Sequence, residues 1–385
     1  MNEKKHWNLL VGAAMAASLL ASPYVVAQGA AVRLSFEAGA NLRFAADIRN
    51  ALARTQEQLA PRLCAPLVAG AALLGRSPEC PESIPPAAVV HAVVLRKGAV
   101  WRFFSSHGLE FESRRSLGSI TKGVIAVPLL ATHGAKPGER WCVHSFGGRR
   151  NADGFVGHAA CAPAAYIDAR AALAHSNNLA TIWRLQQLQP AALREELSAL
   201  QIGDLATHED AASAIALGRV ELAPREALEC LDAIATGRAR RAVMALGGRP
   251  KPTSLATWCA HAVASPAARR FVRELLSAPA EAGGTAAFLP MVLRGSSGFL
   301  AKTGTPATDQ GLDVGKVLVA SFQHGGARYS LFVAMLSAQP SRPLATQLAS
   351  RDLVPILQVI ARHIQGVPKS AAQPARHPPS ASQGN

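Results

Sequence analysis

Ser119 and Lys122, three residues apart in LGSITKGVIAVPLL, could form a nucleophile with its own base. Residues three apart share one face of a helix, so the hydroxyl and the amine would be neighbours. A serine hydroxyl attacks a carbonyl only after a base takes its proton, and a lysine whose pKa is lowered by burial or by a second cation can be that base. Taken alone, the pair is more simply interpreted as a helix start with a serine N-cap and an exposed lysine.

A second polar segment interrupts an Ala- and Leu-rich helical region further along the chain. It reads Ser176-Asn177-Asn178. Serine and asparagine favour caps and turns, which is the simpler interpretation. The chemical interpretation is that the Ser176 hydroxyl relays a proton to a leaving group, while the Asn178 amide holds a substrate carbonyl and the base Lys122.

The third polar segment lies on a predicted strand, GFLAKTGT. It places Lys302, Thr303, Gly304 and Thr305 in succession. Lys302 could be the second cation that lowers the pKa of Lys122. An ammonium and two hydroxyls beside a glycine also suit an anionic chain end lying along the strand.

The order Ser-x-x-Lys, Ser-x-Asn, Lys-Thr-Gly-Thr is the motif set of penicillin-binding proteins and serine β-lactamases. The chain resembles the transpeptidase domain of penicillin-binding proteins over about residues 87–366. The segment ALGRVELAPREALECLDAIATG is similar to the family's segment between its second and third motifs. Thr121 and Gly123 stand where many members have an aromatic residue and a proline.

The resemblance implies a serine acyltransferase that needs no cofactor and no metal. Ser119 would attack the carbonyl of a D-Ala-D-Ala stem peptide or of a β-lactam, and Lys122 would accept its proton. Ser176 would pass a proton to the departing amine. Asn178 would position the substrate and Lys302 would contribute positive charge.

The resemblance also implies how the substrate is held. The hydroxyls of Thr303 and Thr305 would bind its terminal carboxylate, and Gly304 would let its backbone approach the strand closely. The backbone N–H groups of Ser119 and Thr305 would form the oxyanion hole. The segment that begins at Glu195 lacks the asparagine of the class A β-lactamase deacylating loop, so efficient β-lactam hydrolysis is not expected.

The elements that must position these motifs have an α+β order. The segment AVVHAVVLRKGAVWRFFSS predicts a hairpin that turns at Lys97-Gly98, and residues 298–305, 316–326 and 327–338 predict three late strands. Helical spacing is predicted over the following segments: 42–61, 121–134, 166–189, 190–203, 223–237 and 352–364. We therefore expect an antiparallel sheet of the early hairpin and the late strands, packed against helices, with a central all-helical lobe.

The ends of the chain predict export and disorder. Lys4 and Lys5 precede an apolar run, and Val25-Val26-Ala27 offers a cleavage site, so residues 1–27 predict a signal peptide or, if retained, an inner-membrane anchor. The expected location is the periplasm. Residues 28–86 are expected to be a helical and connector segment, 87–366 the transpeptidase-like domain, and 367–385 a disordered tail.

Export makes disulfides the expected state of the six cysteines. They fall in neighbouring pairs, Cys64 with Cys80, Cys142 with Cys161 and Cys230 with Cys259, although six cysteines allow about fifteen pairings. A zinc site made by Cys142, His144, His158 and Cys161 is the alternative for the second pair.

The distribution of charged residues limits the classes of binding partner that the sequence predicts. The formal charge of +15 comes from scattered residues rather than from a basic stripe, which disfavours nucleic acid and fits a basic surface near anionic membrane or wall polymer. The expected partners are peptidoglycan stem peptides and β-lactams. The favoured function is a D,D-transpeptidase, with a D,D-carboxypeptidase and a non-catalytic wall-binding or scaffold protein of the same fold as alternatives.

Overall fold

A computed structural model describes residues 40–55, 57, 88–106, 111–143, 150–151, 154–155, 165–200, 211–240, 252–307, 315–337 and 348–366. The predicted signal or anchor segment, the predicted disordered tail and the cysteines at positions 64, 80 and 161 lie outside these residues. Within the described ranges, no helix has both the length and the apolar character needed to cross a membrane.

The described residues form five strands of seven residues or more, several strands of two or three residues, and a series of helices. The strands are β1 (Ala88–Arg96), β2 (Ala99–Ser105), β3 (Arg115–Ser116), β4 (Arg140–Cys142), β5 (Arg150–Asn151), β6 (Gly154–Phe155), β7 (Tyr166–Asp168), β8 (Glu221–Leu222), β9 (Ser296–Gly304), β10 (Gly315–His324) and β11 (Ala327–Ser337). The helices are α1 (residues 40–55), α2 (a π turn over Lys122–Ala126 continued over Val127–Thr132), α3 (Ala169–Ala174), α4 (Asn178–Gln186), α5 (Pro190–Ala199), α6 (Ala211–Leu217), α7 (Pro224–Thr236), α8 (Ser254–Ala262), α9 (Pro266–Ser277), α10 (Leu289–Val292) and α11 (Val354–Gln365).

The predicted α+β sheet is confirmed. Its order is β2-β1-β11-β10-β9, every neighbouring pair is antiparallel, and the early hairpin pairs with the late strands through β1 and β11. The hairpin turns at Lys97-Gly98 and the β10–β11 turn is Gly325-Gly326, all with positive φ. Strand β9, which carries the third motif, is an edge strand whose only ladder within the described residues is with β10.

Alternation along the strands gives the sheet two buried faces. Residues such as Val317, Val319 and Phe332 face the central lobe. Leu318, Ala320 and their neighbours face the terminal helices α1 and α11. The ion pair between His363 Nε2 and Asp47 Oδ2, 2.9 Å long, ties α11 to α1 on that second face.

The central lobe is mainly helical but contains three short antiparallel ladders, β3 with β8, β4 with β7 and β5 with β6. The prediction of an all-helical lobe is wrong in this respect. Two-residue and three-residue strands have no periodicity that a sequence could display. In two of the three ladders, β3 with β8 and β4 with β7, the pairing partners also lie far apart in the chain.

The predicted continuous helix over residues 166–189 is also corrected. Tyr166–Asp168 is strand β7, and the rest is two helices, α3 and α4, separated by the turn at Ser176. Asp168 accepts from the Arg170 N–H and so begins α3, while Asn177 accepts from the Ala180 N–H at 2.9 Å and begins α4. Two N-caps in sequence make two short helices rather than one long one.

The disulfide predicted between Cys230 and Cys259 is confirmed, and it joins α7 to α8. Cys142 is also disulfide-bonded, to a cysteine outside the described residues. A sulfur held in a disulfide is not a thiolate, so Cys142 is no zinc ligand and the zinc alternative is wrong.

Candidate active site

Ser119 stands immediately before α2, at the end of a tight turn. The turn needs Gly118, whose φ is 58°, because a left-handed backbone is costly for other residues. The Thr121 hydroxyl donates to Gly118 O at 3.0 Å and to Ile215 O at 2.6 Å. Thr121 is fully buried, so the residue that replaces the family's usual aromatic fastens the turn to α6.

Lys122 lies in the first turn of α2 and is fully buried. That turn is a π turn in which the Val127 N–H donates to Lys122 O. Pro128 has no N–H to donate to Val124 O, which explains why the normal α ladder fails at this point. Pro128, in the sequence VPLL that follows the first motif, thus interrupts the α ladder just after the π turn.

Ser176 occupies a left-handed conformation with φ of 54°, one of two positive-φ non-glycine residues among those described. The N–H groups of Ser176 and Asn177 donate back to Leu173 O and Ala172 O, which closes the turn at the end of α3. The strained backbone points the Ser176 carbonyl and hydroxyl towards Lys122 instead of continuing the helix.

The three motifs converge on one hydroxyl. Lys122 Nζ donates to Ser176 O at 2.7 Å, to Ser176 Oγ at 3.2 Å and to Asn178 Oδ1. Lys302 Nζ donates to the same Ser176 Oγ at 2.9 Å and to Thr303 O at 2.7 Å. The predicted association of Lys122, Ser176, Asn178 and Lys302 is present in the structure.

Burial sets the charge state of this pair of lysines. It lowers the pKa of Lys122 from its ordinary value of 10.5 to about 7. The pKa of Lys302 lies well below its ordinary range, because the side chain is fully buried and because Lys122 is nearby. Two desolvated ammonium groups that share a hydroxyl repel each other, so a neutral amine is accessible near neutral pH.

Two glycines let the elements approach closely enough for this contact. A Cβ on Gly123 would lie 3.1 Å from Lys302 Cβ, so the absence of a side chain lets Lys302 pass beside α2. A Cβ on Gly304 would lie 2.2 Å from Leu117 O. In the structure, the neighbour that approaches Gly304 is the protein's own turn before α2. The predicted approach of a substrate to this glycine stays a prediction.

The threonines of the third motif have different surroundings. Thr303 is buried, and its hydroxyl donates to Thr285 Oγ1 at 2.8 Å. Thr305 is partly exposed and accepts from Lys316 Nζ at 2.7 Å. Sequence reasoning missed Lys316 and Thr285. The pairing of Val317 with Gly304 places Lys316 beside Thr305, so a correct register for β10 would have found it.

Ser119 itself is partly exposed, and its hydroxyl forms no hydrogen bond within the part of the chain that the structure describes. The amine of Lys122, three residues later, is instead held by the second motif. The arrangement thus contains a partly exposed hydroxyl on Ser119 and a buried Lys122 amine that can be neutral. The Ser176 hydroxyl, which both lysine amines contact, can transfer a proton.

Comparisons with known proteins support the fold. The sequence matches no protein-family profile and no curated protein. Among solved structures, the chain is similar to the apo structure of the TP domain of penicillin-binding protein 3 from Burkholderia pseudomallei. The identity is 14%, the TM-score is 0.56, and the alignment covers 88% of this chain and 98% of that one.

The chain is also similar to a peptidoglycan glycosyltransferase from Burkholderia ambifaria, with 12% identity and a TM-score of 0.53, over 85% of this chain and 97% of that one. At these identities the comparisons establish architecture, not activity. The chain has the fold of a penicillin-binding-protein transpeptidase domain, as the motifs predicted.

Proposed function

We propose that this protein is a periplasmic serine acyltransferase that forms an acyl-enzyme with D-Ala-D-Ala stem peptides and with penicillin. The observation that supports the proposal most directly is the convergence of Lys122 and Lys302 on Ser176 Oγ, beside helix α2 and the turn that carries Ser119. Buried amines that share a hydroxyl are unfavourable for stability, since each must lose its hydration. Such a cluster is more readily explained by chemistry than by folding.

In the proposed acylation, neutral Lys122 accepts the proton of Ser119 as Oγ attacks the carbonyl carbon of the penultimate D-Ala. The tetrahedral oxyanion receives hydrogen bonds from the backbone N–H groups of Ser119 and Thr305. Ser176 Oγ then passes a proton to the departing D-Ala nitrogen and is reprotonated from Lys122. The C–N bond breaks as the ester forms, and Lys122 returns to the neutral state.

The second half of the reaction decides between the two enzymatic alternatives. An acceptor amine that attacks the ester gives a D,D-transpeptidase, which we favour, and water gives a D,D-carboxypeptidase. In either case Ser176 and Lys122 take the proton of the attacking group. Asn178 holds Lys122 in place through its amide oxygen.

The terminal carboxylate of the substrate is placed at Thr305. This hydroxyl is partly exposed and adjacent to the Lys316 ammonium, which adds a positive charge that the motif alone does not contain. The Thr303 hydroxyl is already used by Thr285, so its contribution to substrate binding is indirect. Lys302 is buried, with a pKa well below its ordinary range, so its part in the site is to share the Ser176 hydroxyl rather than to supply a fixed positive charge.

The test is covalent labelling by a fluorescent penicillin, followed by peptide mapping of the adduct. We expect one adduct, on Ser119, and none in Ser119→Ala. Ser297→Ala is the matched control, because Ser297 is an exposed serine on the same strand as the third motif and should leave labelling unchanged. Folded protein that takes no label under any condition would leave only the non-catalytic scaffold alternative.

A further inference from the structure

Apart from the candidate active site, a groove lies along the N-terminal half of β9, outside the three motifs. Its volume is about 740 Å³. One wall is α9 and the other is formed by the start of β9, including Phe299, with the end of β10. None of the residues that line it belongs to the candidate active site, so the proposed acyltransferase chemistry does not account for it.

Arginine dominates the lining. The five arginines are Arg170, Arg269, Arg270, Arg273 and Arg328, and the one carboxylate among the lining residues is Glu274. Five positive charges and one negative charge give the lining a net formal charge of +4. They come from α3, α9 and β11, so the fold gathers them from three separate elements.

Most of this charge is not neutralised by the protein. Arg170 forms an ion pair with Glu281, but the other four arginines have no ion pair within the described residues. Arg269 Nε donates to Val263 O at 3.2 Å and Arg273 donates to Ala235 O at 2.7 Å. Carbonyl partners fix the position of a guanidinium without cancelling its charge.

The pKa of Arg328 shows the effect of placing several positive charges close together. Its pKa lies below the ordinary value because the side chain is half-buried and because Arg273 and Arg240 are close, although Asp232 opposes the change. Arg328 donates to Ser321 Oγ at 3.4 Å, and Ser321 is linked through Ser330 to Asp232. The guanidinium is therefore held in the groove by a buried network, and a bound anion would relieve the repulsion.

Size and charge together indicate the chemistry of the ligand. The Arg170–Glu281 ion pair reduces the net charge at the groove from +4 to +3. An organic diphosphate carries about −3 near neutral pH, one charge on the inner phosphate and nearly two on the outer one, which matches this value. Arg269 and Arg273 lie one helical turn apart, about 6 Å along α9, which suits two adjacent phosphates better than one. A diphosphate fills only part of the groove, so an organic group attached to it can lie along the start of β9.

We propose that this groove binds a diphosphate-bearing ligand, with the two phosphates against the arginines of α9 and the organic group along the start of β9. The ligand could be a soluble nucleoside diphosphate or a lipid-linked diphosphate, because both present the same anionic group. Guanidinium is well matched to phosphate oxygens, to which it donates two parallel hydrogen bonds.

The first experiment measures inorganic pyrophosphate binding to the full chain by isothermal titration calorimetry at fixed ionic strength. We expect pyrophosphate to bind about tenfold more tightly than inorganic phosphate. Arg270→Gln changes an exposed side chain with no hydrogen bond or ion pair in the described structure, so its fold should be intact. Arg270→Gln/Arg273→Gln should weaken pyrophosphate binding at least tenfold, on the order expected for two charge-assisted contacts.

The control is Arg294→Gln, which removes the same charge from an exposed arginine outside the groove. It should change the affinity less than about twofold, the size of a screened long-range effect. Equal binding of phosphate and pyrophosphate, or an equal loss in Arg294→Gln, would overturn the proposal by showing attraction to overall positive charge.

The second experiment distinguishes the two sources with the same groove variants. Tighter binding of ADP than of farnesyl diphosphate supports a soluble nucleotide, and the reverse order supports a lipid-linked ligand. In both cases Arg270→Gln/Arg273→Gln should weaken the organic diphosphate and inorganic pyrophosphate by a similar factor, because these arginines contact only the phosphates. A hexaglutamate peptide tests for an acidic protein segment as the ligand. If this peptide bound as tightly as the diphosphates, and if Arg270→Gln/Arg273→Gln reduced its affinity by the same factor, the proposal would be overturned.

Discussion

At the scale of single residues, the proposed reaction depends on the fraction of Lys122 side chains that are neutral. Burial lowers the Lys122 pKa to about 7, and only the neutral amine can accept a proton. The rate of acylation by penicillin should therefore rise with pH through about 7 and level off above it. Stopped-flow labelling between pH 5.5 and pH 8.5 measures this profile.

The Lys122→Ala variant should acylate about 10² to 10⁴ times more slowly and lose that pH dependence, since this is the usual contribution of a positioned base. Lys136→Ala, at an exposed lysine just after α2, is the control and should match the unmodified protein. If Lys122→Ala kept the same rate and the same profile, Lys122 would not be the base.

Thr305 and Lys316 make a second prediction at this scale, concerning the carboxylate. Thr305→Val removes the hydroxyl, and Lys316→Met removes the ammonium that donates to it at 2.7 Å. Each change should slow acylation by carboxylate-bearing substrates about 10-fold to 100-fold, the usual loss for a hydrogen bond to a charged group. The corresponding methyl esters should be almost unaffected.

Thr303→Val serves as the comparison for that experiment. Its hydroxyl donates to Thr285 instead of pointing to an open site, so any loss should be equal for the acid and the ester. A loss in Thr303→Val that is selective for the carboxylate, with no selectivity in Thr305→Val, would exchange the roles assigned to the two threonines.

At the scale of elements, the contact between β9 and the turn before α2 explains what the motif letters do not. The close contact between Gly304 and Leu117 O joins two segments that lie about 190 positions apart in the sequence. A motif predicts which residue types occur near each other. It does not predict whether the space beside a glycine is filled by substrate or by the chain's own backbone.

Strand β1 gives a prediction about pH and stability through His91. This residue is fully buried among Phe103, Phe111 and Phe332, and neither ring nitrogen has a hydrogen-bond partner within the described structure. Burial, with a smaller effect of Arg115, lowers its pKa from 6.5 to about 3. The unfolded chain therefore binds a proton below pH 6.5 that the folded chain does not bind.

His91 should accordingly leave stability unaffected above pH 6.5 and reduce it as the pH falls from 6.5 towards 3. Between pH 7 and pH 5 the loss should be about 2 kcal/mol, from one proton bound only by the unfolded state. Urea unfolding of His91→Phe should show a smaller decrease over this interval, whereas His261→Gln, at an exposed histidine, should behave like the unmodified protein. An identical pH dependence in all three proteins would count against a buried neutral His91.

The elements also show how far sequence reasoning extends. The hairpin, the three late strands and helices such as α7, which ends at left-handed Gly237, follow from alternation, turn residues and caps. Helix α9 was not predicted, although Ser265 and Pro266 mark its start and Phe271, Val272, Leu275 and Leu276 form its buried stripe. The break at Ser176 was indicated by the Ser-Asn-Asn segment, which favours a cap or turn, but the helical spacing on either side of it predicted one helix. The contact of this turn with Lys122, a residue remote in the sequence, could not be predicted from local pattern.

At the scale of the whole molecule, the candidate site forms where the sheet and the central lobe meet. Lys302 comes from the sheet, while Lys122 comes from helix α2 of the lobe and Ser176 from the turn between α3 and α4. The motif order predicted these partners correctly, but the shared Ser176 hydroxyl, the partner of Thr305 and the arginine groove depend on tertiary packing. Because the groove and the site both include β9, changes in one should be tested for effects on the other.

The Cys230–Cys259 disulfide supplies the last prediction, because it connects two lobe helices against the π turn of α2. Both sulfurs lie near Val124 O, at 3.4 and 3.5 Å, and that carbonyl is the one that Pro128 leaves without a helical donor. The bond closes a loop of 29 residues, so its removal in Cys230→Ala/Cys259→Ala should lower the free energy of unfolding by about 3 kcal/mol. Urea unfolding without reductant measures this loss.

The acylation rate of the folded variant at 25 °C should fall less than about threefold, since the disulfide supports α2 without touching the lysines. A loss of acylation comparable to that of Lys122→Ala, in protein that is still folded, would instead mean that the disulfide positions Lys122 itself.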